Sequence, residues 1–224
     1  MGAKALHGRE LTPVAIRPYR PADRPGVRTI YGQDEFARPR LMDRYPRMSE
    51  YLADSMSYYT DVEPESSLVA VSQNRVVGAL LGAVDTARCE EVYKRRIRPL
   101  LIRRCLGGAY GWPGWLLSLL RTEWAGRRTH YPDIDLKAYP AHLHIGVLPA
   151  WRQQGIGTAL MQAYAEALRW RKVSGYHLYA SSFHPLGVAF YRKLGLEVLG
   201  QFPWRLHTGE GWLSVTELVF GLRL

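Results

Sequence analysis

The chain has 224 residues, 47% of them hydrophobic, with 30 Lys and Arg against 20 Asp and Glu for a net charge of +10. That length allows one large domain or a domain with an elaborate insertion, and no apolar run approaches the roughly 18 residues of a membrane span. The excess of base favours anionic partners, whether nucleic acid, a phosphorylated cofactor or an anionic surface, without choosing among them.

Cys89 and Cys105 have neither disulfide-framework nor metal-ligand spacing. No metal is expected, and the compartment reads as reducing and cytoplasmic. The start MGAKALHGREL has no apolar signal region, and Leu6 stands where myristoylation needs Ser or Thr.

Val14 to Arg20 reads as a first strand. A helix is expected to follow from Pro21 and Asp23, with Val27, Ile30 and Tyr31 at helical spacing. Ser49 to Tyr59 reads as a second helix with Ser49 as its N-cap. Ser67 to Val71 and Val76 to Val84 read as strands joined by the turn Gln73-Asn74.

Residues 86–136 interrupt the pattern. They carry Lys or Arg at 88, 94, 95, 96, 98, 103, 104, 121, 127 and 128, against Asp or Glu at 90, 91, 123, 133 and 135. Amphipathic helices are expected here, broken at Gly107-Gly108 and at Trp112-Pro113-Gly114. Ala138 to Leu148 is the next strand. Ile156 to Arg171 is a helix with an apolar stripe of Leu160, Ala163, Tyr164, Ala167 and Leu168. Tyr176 to Ala180, a short helix Leu186 to Leu194, and strands Leu196 to Gln201 and Leu213 to Phe220 close the chain. The expected class is α/β, a mixed sheet with a helical insertion, in one domain over residues 1–224.

Arg152-Gln153-Gln154-Gly155-Ile156-Gly157 lies between a strand and a helix. Its glycines permit a tight turn and close backbone approach to a ligand. The first N–H groups of the helix lack intrahelical partners and sit at the positive end of its dipole, which suits phosphate oxygens. No Gly-Lys-Ser/Thr follows, so this is not a Walker loop, and it is not a dinucleotide fingerprint.

Val147-Leu148-Pro149-Ala150-Trp151-Arg152-Gln153-Gln154-Gly155-Ile156-Gly157 resembles the acetyl-CoA signature of the GNAT superfamily of N-acetyltransferases, V-x-P leading into Q/R-x-x-G-x-G/A. His184 to Leu196 resembles the family's second signature, N-x-x-A-x-x-F-Y-x-x-x-G-F. Phe190, Tyr191 and Gly195 match, while His184, Gly187 and Leu196 replace the usual Asn, Ala and Phe. Tyr139 to Ile145 is similar to the acetyltransferase-like domain associated with O-GlcNAcase and its bacterial relatives. The His142-Leu143-His144 pair also resembles that of arylalkylamine N-acetyltransferases, where it sits one residue further from the glycine turn.

The resemblance implies an acetyl-CoA-dependent N-acetyltransferase acting on a primary amine by direct attack in a ternary complex. It implies that Arg152, Gln153, Gln154, Gly155, Ile156, Gly157 and Thr158 hold the pyrophosphate. Backbone groups of Ile145 and Val147 would meet the pantetheine arm and thioester carbonyl, as an oxyanion hole does. His184 would cap its helix or touch CoA, and Tyr191 would return a proton to the thiolate.

An alkylamine with a pKa near ~10.4 must lose a proton before attack, and a histidine titrating near ~6.5 is suited to take it. His142 and His144, two apart on a strand, share one face, with His142 slightly preferred as base; Ala141, Leu143 and Ile145 share the other. The same pair also reads as polar surface or a satisfied core hydrogen bond.

The insertion reads as a lid over the acceptor site, with Tyr110, Trp112, Trp115 and Trp124 shaping the pocket, as a dimer element, or as packed helices with solvated charge. Glu90, Glu91, Asp133 and Asp135 are the nearest candidates for acidity there. Two alternatives stand beside the enzyme. One is a catalytically silent acyl-CoA-binding or protein-interaction domain. The other is a nucleic-acid binder, for which only the charge speaks and no motif does. The acceptor stays open.

Overall fold

A computed structural model describes residues 13–32, 47–111, 114–208 and 210–224, with 114–116 as backbone only. The expectations for the N-terminal segment, for the end of the first predicted helix, for the break at Trp112-Pro113 and for the side chains of Trp112 and Trp115 lie outside the described residues.

Seven strands form one sheet. They are β1 (Ala15–Pro18), β2 (Leu68–Ser72), β3 (Arg75–Ala83), β4 (Ala141–Val147), β5 (Gly175–Ser181), β6 (Glu197–His207) and β7 (Trp212–Arg223), in the order β1-β2-β3-β4-β5-β7-β6. The helices are α1 (Arg24–Tyr31), α2 (Met48–Ser55), α3 (Thr86–Val92), α4 (Arg98–Leu106), α5 (Gly114–Gly126), α6 (Ile156–Trp170) and α7 (Pro185–Lys193). This is the mixed α/β arrangement expected from the order of elements.

Neighbouring strands run antiparallel except β4 and β5, which run parallel. That pair is joined only at Ala141–Tyr176 and His142–His177. The rest of β4 continues to Val147 and the rest of β5 to Ser181 without pairing to each other, so the sheet opens at its centre. The two-residue turn Gln73-Asn74 joining β2 and β3 has φ of 47° and 61°, the double positive φ that suits a tight hairpin.

The sheet is covered on both faces. On one side lie α1, α3, α4 and the tyrosines Tyr58 and Tyr59 against Val69, Ala79, Leu81 and Ala83. On the other, α6 packs Leu160, Met161, Tyr164 and Leu168 against Val77, Leu80, Leu143 and Leu178. The alternation along β4 therefore divides as read. Ala141 and Leu143 face α6, and the two histidines face the tyrosine side.

Several boundaries differ from the reading, each for a physical reason. On α6 the buried stripe is Ile156, Leu160, Met161, Tyr164, Ala165 and Leu168. Ala163 and Ala167 lie off it because the buried residues fall in two rows that step by four, 156-160-164-168 and 161-165, and an alanine carries little apolar area to decide the matter. Helix α2 starts at Met48 with Arg47 at the cap position and no side-chain cap bond, so Ser49 is inside the helix rather than its N-cap.

The reading of one helix to Tyr59 also divides. Helix α2 ends at Ser55, and a π-helical turn, Tyr58–Val62, follows in which both tyrosines are buried. Strand β6 runs six residues past its expected end, through Pro203. It is the last strand of the sheet, and an edge tolerates a residue that cannot donate to the ladder.

Candidate active site

The split between β4 and β5 opens into a cavity of about 1550 Å³. One end is the glycine turn. Gln153 has φ +61° and Gly155 +81°, so two left-handed residues fold the backbone inward before α6 begins, the shape of an anion-binding nest. Gly155 is the N-cap of α6 and makes no side-chain cap bond; the dipole end and first N–H groups of a fifteen-residue helix point into the turn.

Of the residues expected to hold the donor, Ile145, Val147, Arg152, Gln153, Gly155 and Gly157 line the cavity. So do Thr158, His184 and Tyr191. The Arg152 Nε donates to Val147 O at 3.0 Å, tying the turn to the end of β4. Gln154 turns away, its Nε2 donating to Ala150 O at 3.0 Å. The Ile156 side chain is buried in the core beneath α6, so it offers the turn only its backbone. His184 occupies the N-cap position of α7 without a side-chain cap bond.

Tyr191, on α7, lines the same cavity. Its ring lies 5.3 Å from Phe190 and 5.5 Å from Phe220. Burial pushes its hydroxyl up to about 12, so at neutral pH it holds its proton and can give it to a thiolate.

The two histidines separate by depth. His144 lines the cavity, whereas His142 is only 9% exposed and lies behind it. Tyr59 joins them, with its Oη 2.7 Å from His142 Nε2 and 3.1 Å from His144 Nε2. His142 Nδ1 reaches Thr86 Oγ1 at 2.9 Å, and that hydroxyl donates to Pro140 O at 2.7 Å. Burial lowers both imidazoles, His144 to about 4 and His142 to about 3, the latter also through the neighbouring His144 and His177. Both are neutral at pH 7, with a lone pair to offer. Of the two candidate bases, His144 is the one in contact with the cavity, and His142, slightly preferred from the sequence, lies behind it.

The other end of the cavity is lined by the insertion, with neither Tyr110 nor Trp124 in that lining. Tyr110 is buried against Tyr51 and donates to Asp54 Oδ2 at 2.7 Å. Trp124 is 54% exposed with the Arg128 guanidinium 4.2 Å from its ring. The lining instead comes from the opposite face of α5, where Ser118, Leu119, Thr122 and Glu123 stand, and from Tyr131. Helix α5 is fixed on β6 by His207, whose backbone N donates to Thr122 Oγ1 at 3.0 Å and whose ring meets Ser118 Oγ and Arg121 at 3.2 Å each.

The acidic candidates also move. Glu90 and Glu91 pair outward with Lys94 and Arg95, and Asp135 accepts from Lys137 N. Among the described residues, the carboxylates that line the cavity are Glu123, which lies 3.9 Å from Arg98, and Glu217. Tyr59, Thr86 and Glu217 carried no signal in the sequence, since only the pairing of distant strands and turns brings them to the histidines and the cavity.

A central sheet split open beside a glycine turn at a helix start is the architecture of acyl-CoA N-acyltransferases. Residues 123–198 match the family model for an acetyltransferase (GNAT) domain. The chain is similar to the crystal structure of SsHAT at 28% identity, covering 94% of this chain and 98% of that one with a TM-score of 0.68. It shares its fold with ribosomal-protein-alanine N-acetyltransferase from Brucella melitensis, at 17% identity over 94% and 99% of the two chains with a TM-score of 0.54. It shares it also with an N-acetyltransferase from Staphylococcus aureus Mu50, at 11% identity over 95% and 99% with a TM-score of 0.56. Residues 123–198 thus match a GNAT acetyltransferase domain, and the chain as a whole has the fold of the solved N-acetyltransferases. No helix among the described residues is long and apolar enough to cross a membrane.

Proposed function

We propose that this protein transfers an acetyl group from acetyl-CoA to a primary amine by direct attack in a ternary complex. The observation that carries this reading is that one cavity joins the glycine turn, the unpaired end of β4, His144 and Tyr191. A site for the donor, a stabiliser of the oxyanion, a base for the amine and an acid for the leaving thiolate each have a candidate group there. The backbone N–H groups of the turn and of the start of α6 suit the pyrophosphate, and Arg152 holds the turn against β4. The backbone of Ile145 and Val147 is unpaired toward β5 except for Val147 O, which accepts from Arg152, and it suits the pantetheine arm and the thioester oxygen.

His144 takes a proton from the ammonium, and the freed lone pair attacks the thioester carbon. The tetrahedral intermediate collapses, breaking the C–S bond. The leaving thiolate takes the Tyr191 hydroxyl proton, and the second amine proton returns to the tyrosine. The products are amide and free thiol, with one proton left on His144 for solvent. A covalent acetyl-cysteine route is not supported. Cys89 and Cys105 are buried, and burial pushes the Cys89 thiol up to about 12, far from the thiolate a nucleophile needs.

Glu123, Glu217 and the tyrosines around the roofed end suit a cationic amine on an apolar or ring-bearing body. In this reading residues 86–136 are an insertion in a single domain that serves as the acceptor-side lid. The testing experiment is a screen of amine acceptors with acetyl-CoA, following thiol release by wild type and by His144→Gln. Release that depends on an amine and falls at least a hundredfold in the variant supports the reading. Release that is equal in both overturns the role of His144, and acetyl-CoA binding with no acceptor-dependent release across the screen favours the silent alternative.

A further inference from the structure

Resting on the acetyltransferase reading, we infer that a one-way hydrogen-bond chain from Pro140 through Thr86, His142 and Tyr59 fixes His144 as the Nε2–H tautomer, leaving Nδ1 as the atom that takes the substrate's proton. Thr86, His142 and Tyr59 are its positioning residues.

The direction of the chain follows from counting hydrogens. Pro140 O can only accept, so the Thr86 hydroxyl hydrogen is committed to it at 2.7 Å. The Thr86 oxygen must then accept from His142 Nδ1 at 2.9 Å. That places the His142 proton on Nδ1 and leaves Nε2 bare. A bare Nε2 at 2.7 Å from Tyr59 Oη requires the tyrosine to donate. With its one hydrogen spent, Tyr59 accepts at 3.1 Å, and the donor is His144 Nε2–H. A neutral imidazole carries one proton, so the lone pair of His144 sits on Nδ1.

Neighbouring groups leave this order undisturbed. Tyr31 Oη donates to His144 O at 3.1 Å, and Tyr164 Oη lies 3.0 Å from His142 O and 3.1 Å from Ala83 O, all three acceptors being carbonyls. His177 Nδ1 donates to Tyr139 O at 3.0 Å. The Cys89 thiol beside Tyr59 is kept protonated by burial, and as a weak acceptor it does not draw the tyrosine hydrogen from an imidazole nitrogen.

The chain also prepares the charged state. When His144 Nδ1 gains a proton, Nε2–H already has the Tyr59 oxygen as acceptor, so one of the two imidazolium donors is satisfied in advance. The proton rests on His144 because that ring meets the cavity, whereas His142 lies behind it.

The test is the tautomeric state of each ring, read by long-range nitrogen–proton correlation NMR on the full-length nitrogen-15-labelled protein at neutral pH, with His142→Gln and His144→Gln for assignment. The expected result is a proton on Nδ1 of His142 and on Nε2 of His144. In Thr86→Val the pinning acceptor is gone and the chain can reverse, so both histidines change tautomer together; Thr86→Ser restores both. A proton on Nδ1 of His144 in the wild type overturns the inference, as does Thr86→Val that moves His142 and leaves His144 unchanged. These readouts need no acceptor and no acetyl-CoA, so failure of the transferase reading would show separately, as wild-type protein that neither binds acetyl-CoA nor releases thiol.

Discussion

A Cβ placed on Gly157 would stand 3.2 Å from Phe190 Cζ, so the second glycine of the turn and the aromatic beside Tyr191 are packed against each other. Helices α6 and α7 meet there through a residue with no side chain. The glycine admits Phe190 close to the helix start, and in the proposed function it also leaves the backbone accessible to a phosphate. We predict that Gly157→Val pushes Phe190 and the adjoining Tyr191 aside and weakens acetyl-CoA binding at least tenfold, about 1.4 kcal/mol. Calorimetry on wild type and variant measures it, and equal affinity would contradict the packing argument.

Gly155 is constrained differently. Its φ is +81° and an added Cβ would meet nothing within 4 Å. The cost of Gly155→Ala is therefore conformational, about 1–2 kcal/mol from the left-handed backbone. Urea unfolding should show that loss, and a variant as stable as wild type would mean that the turn relaxes freely.

Tyr191→Phe removes the proposed proton donor and keeps the ring's contacts with Phe190 and Phe220. Turnover should fall by about 10²–10⁴, while acetyl-CoA affinity stays within a factor of about two. An unchanged rate assigns the thiolate's proton to another group.

The buried histidines make stability depend on pH in a defined direction. His142 and His144 titrate near 3 and 4 when folded and near ~6.5 when unfolded. Between those values the unfolded chain binds more protons, so stability rises with pH through the window and is fully present above ~6.5. The slope is about 1.4 kcal/mol per pH unit for each histidine well inside the window. Asp23, held low by Arg17, adds to acid sensitivity only below its ordinary range near 3.8, outside a comparison of pH 5 with pH 7. Urea midpoints should fall from pH 7 to pH 5, and His144→Gln should flatten the fall; a flat wild-type profile would contradict the burial of neutral imidazoles.

Most of what places the site was legible in local pattern. The glycine turn and the Phe190-Tyr191 pair are contiguous motifs, and alternation along β4 put His142 and His144 on one face. What was not legible depends on distant parts of the chain. Tyr59 lies 83 residues before His142, and Thr86 lies 56 before it; no period or spacing connects them. Which histidine meets the cavity depends on where the β4–β5 pairing stops, a property of the sheet and not of either strand. The inward face of the insertion depends on how α5 docks on β6, so Trp124 stands out in the sequence by its size while Thr122 and Glu123 line the cavity.

That docking is itself testable. Thr122→Val leaves the buried His207 N–H without its acceptor, at a cost of about 1–3 kcal/mol. Limited proteolysis should then cut within residues 114–136 faster than in wild type, and an unchanged digestion pattern would show that the insertion is held elsewhere.

The most direct test of the central claim is a calorimetric titration of the wild-type protein with acetyl-CoA, with free CoA for comparison. The cavity joining the glycine turn to His144 and Tyr191 predicts saturable binding of one acetyl-CoA per chain in the micromolar range. Absence of binding at millimolar acetyl-CoA would contradict it, leaving the turn as a feature of the fold without a donor to hold.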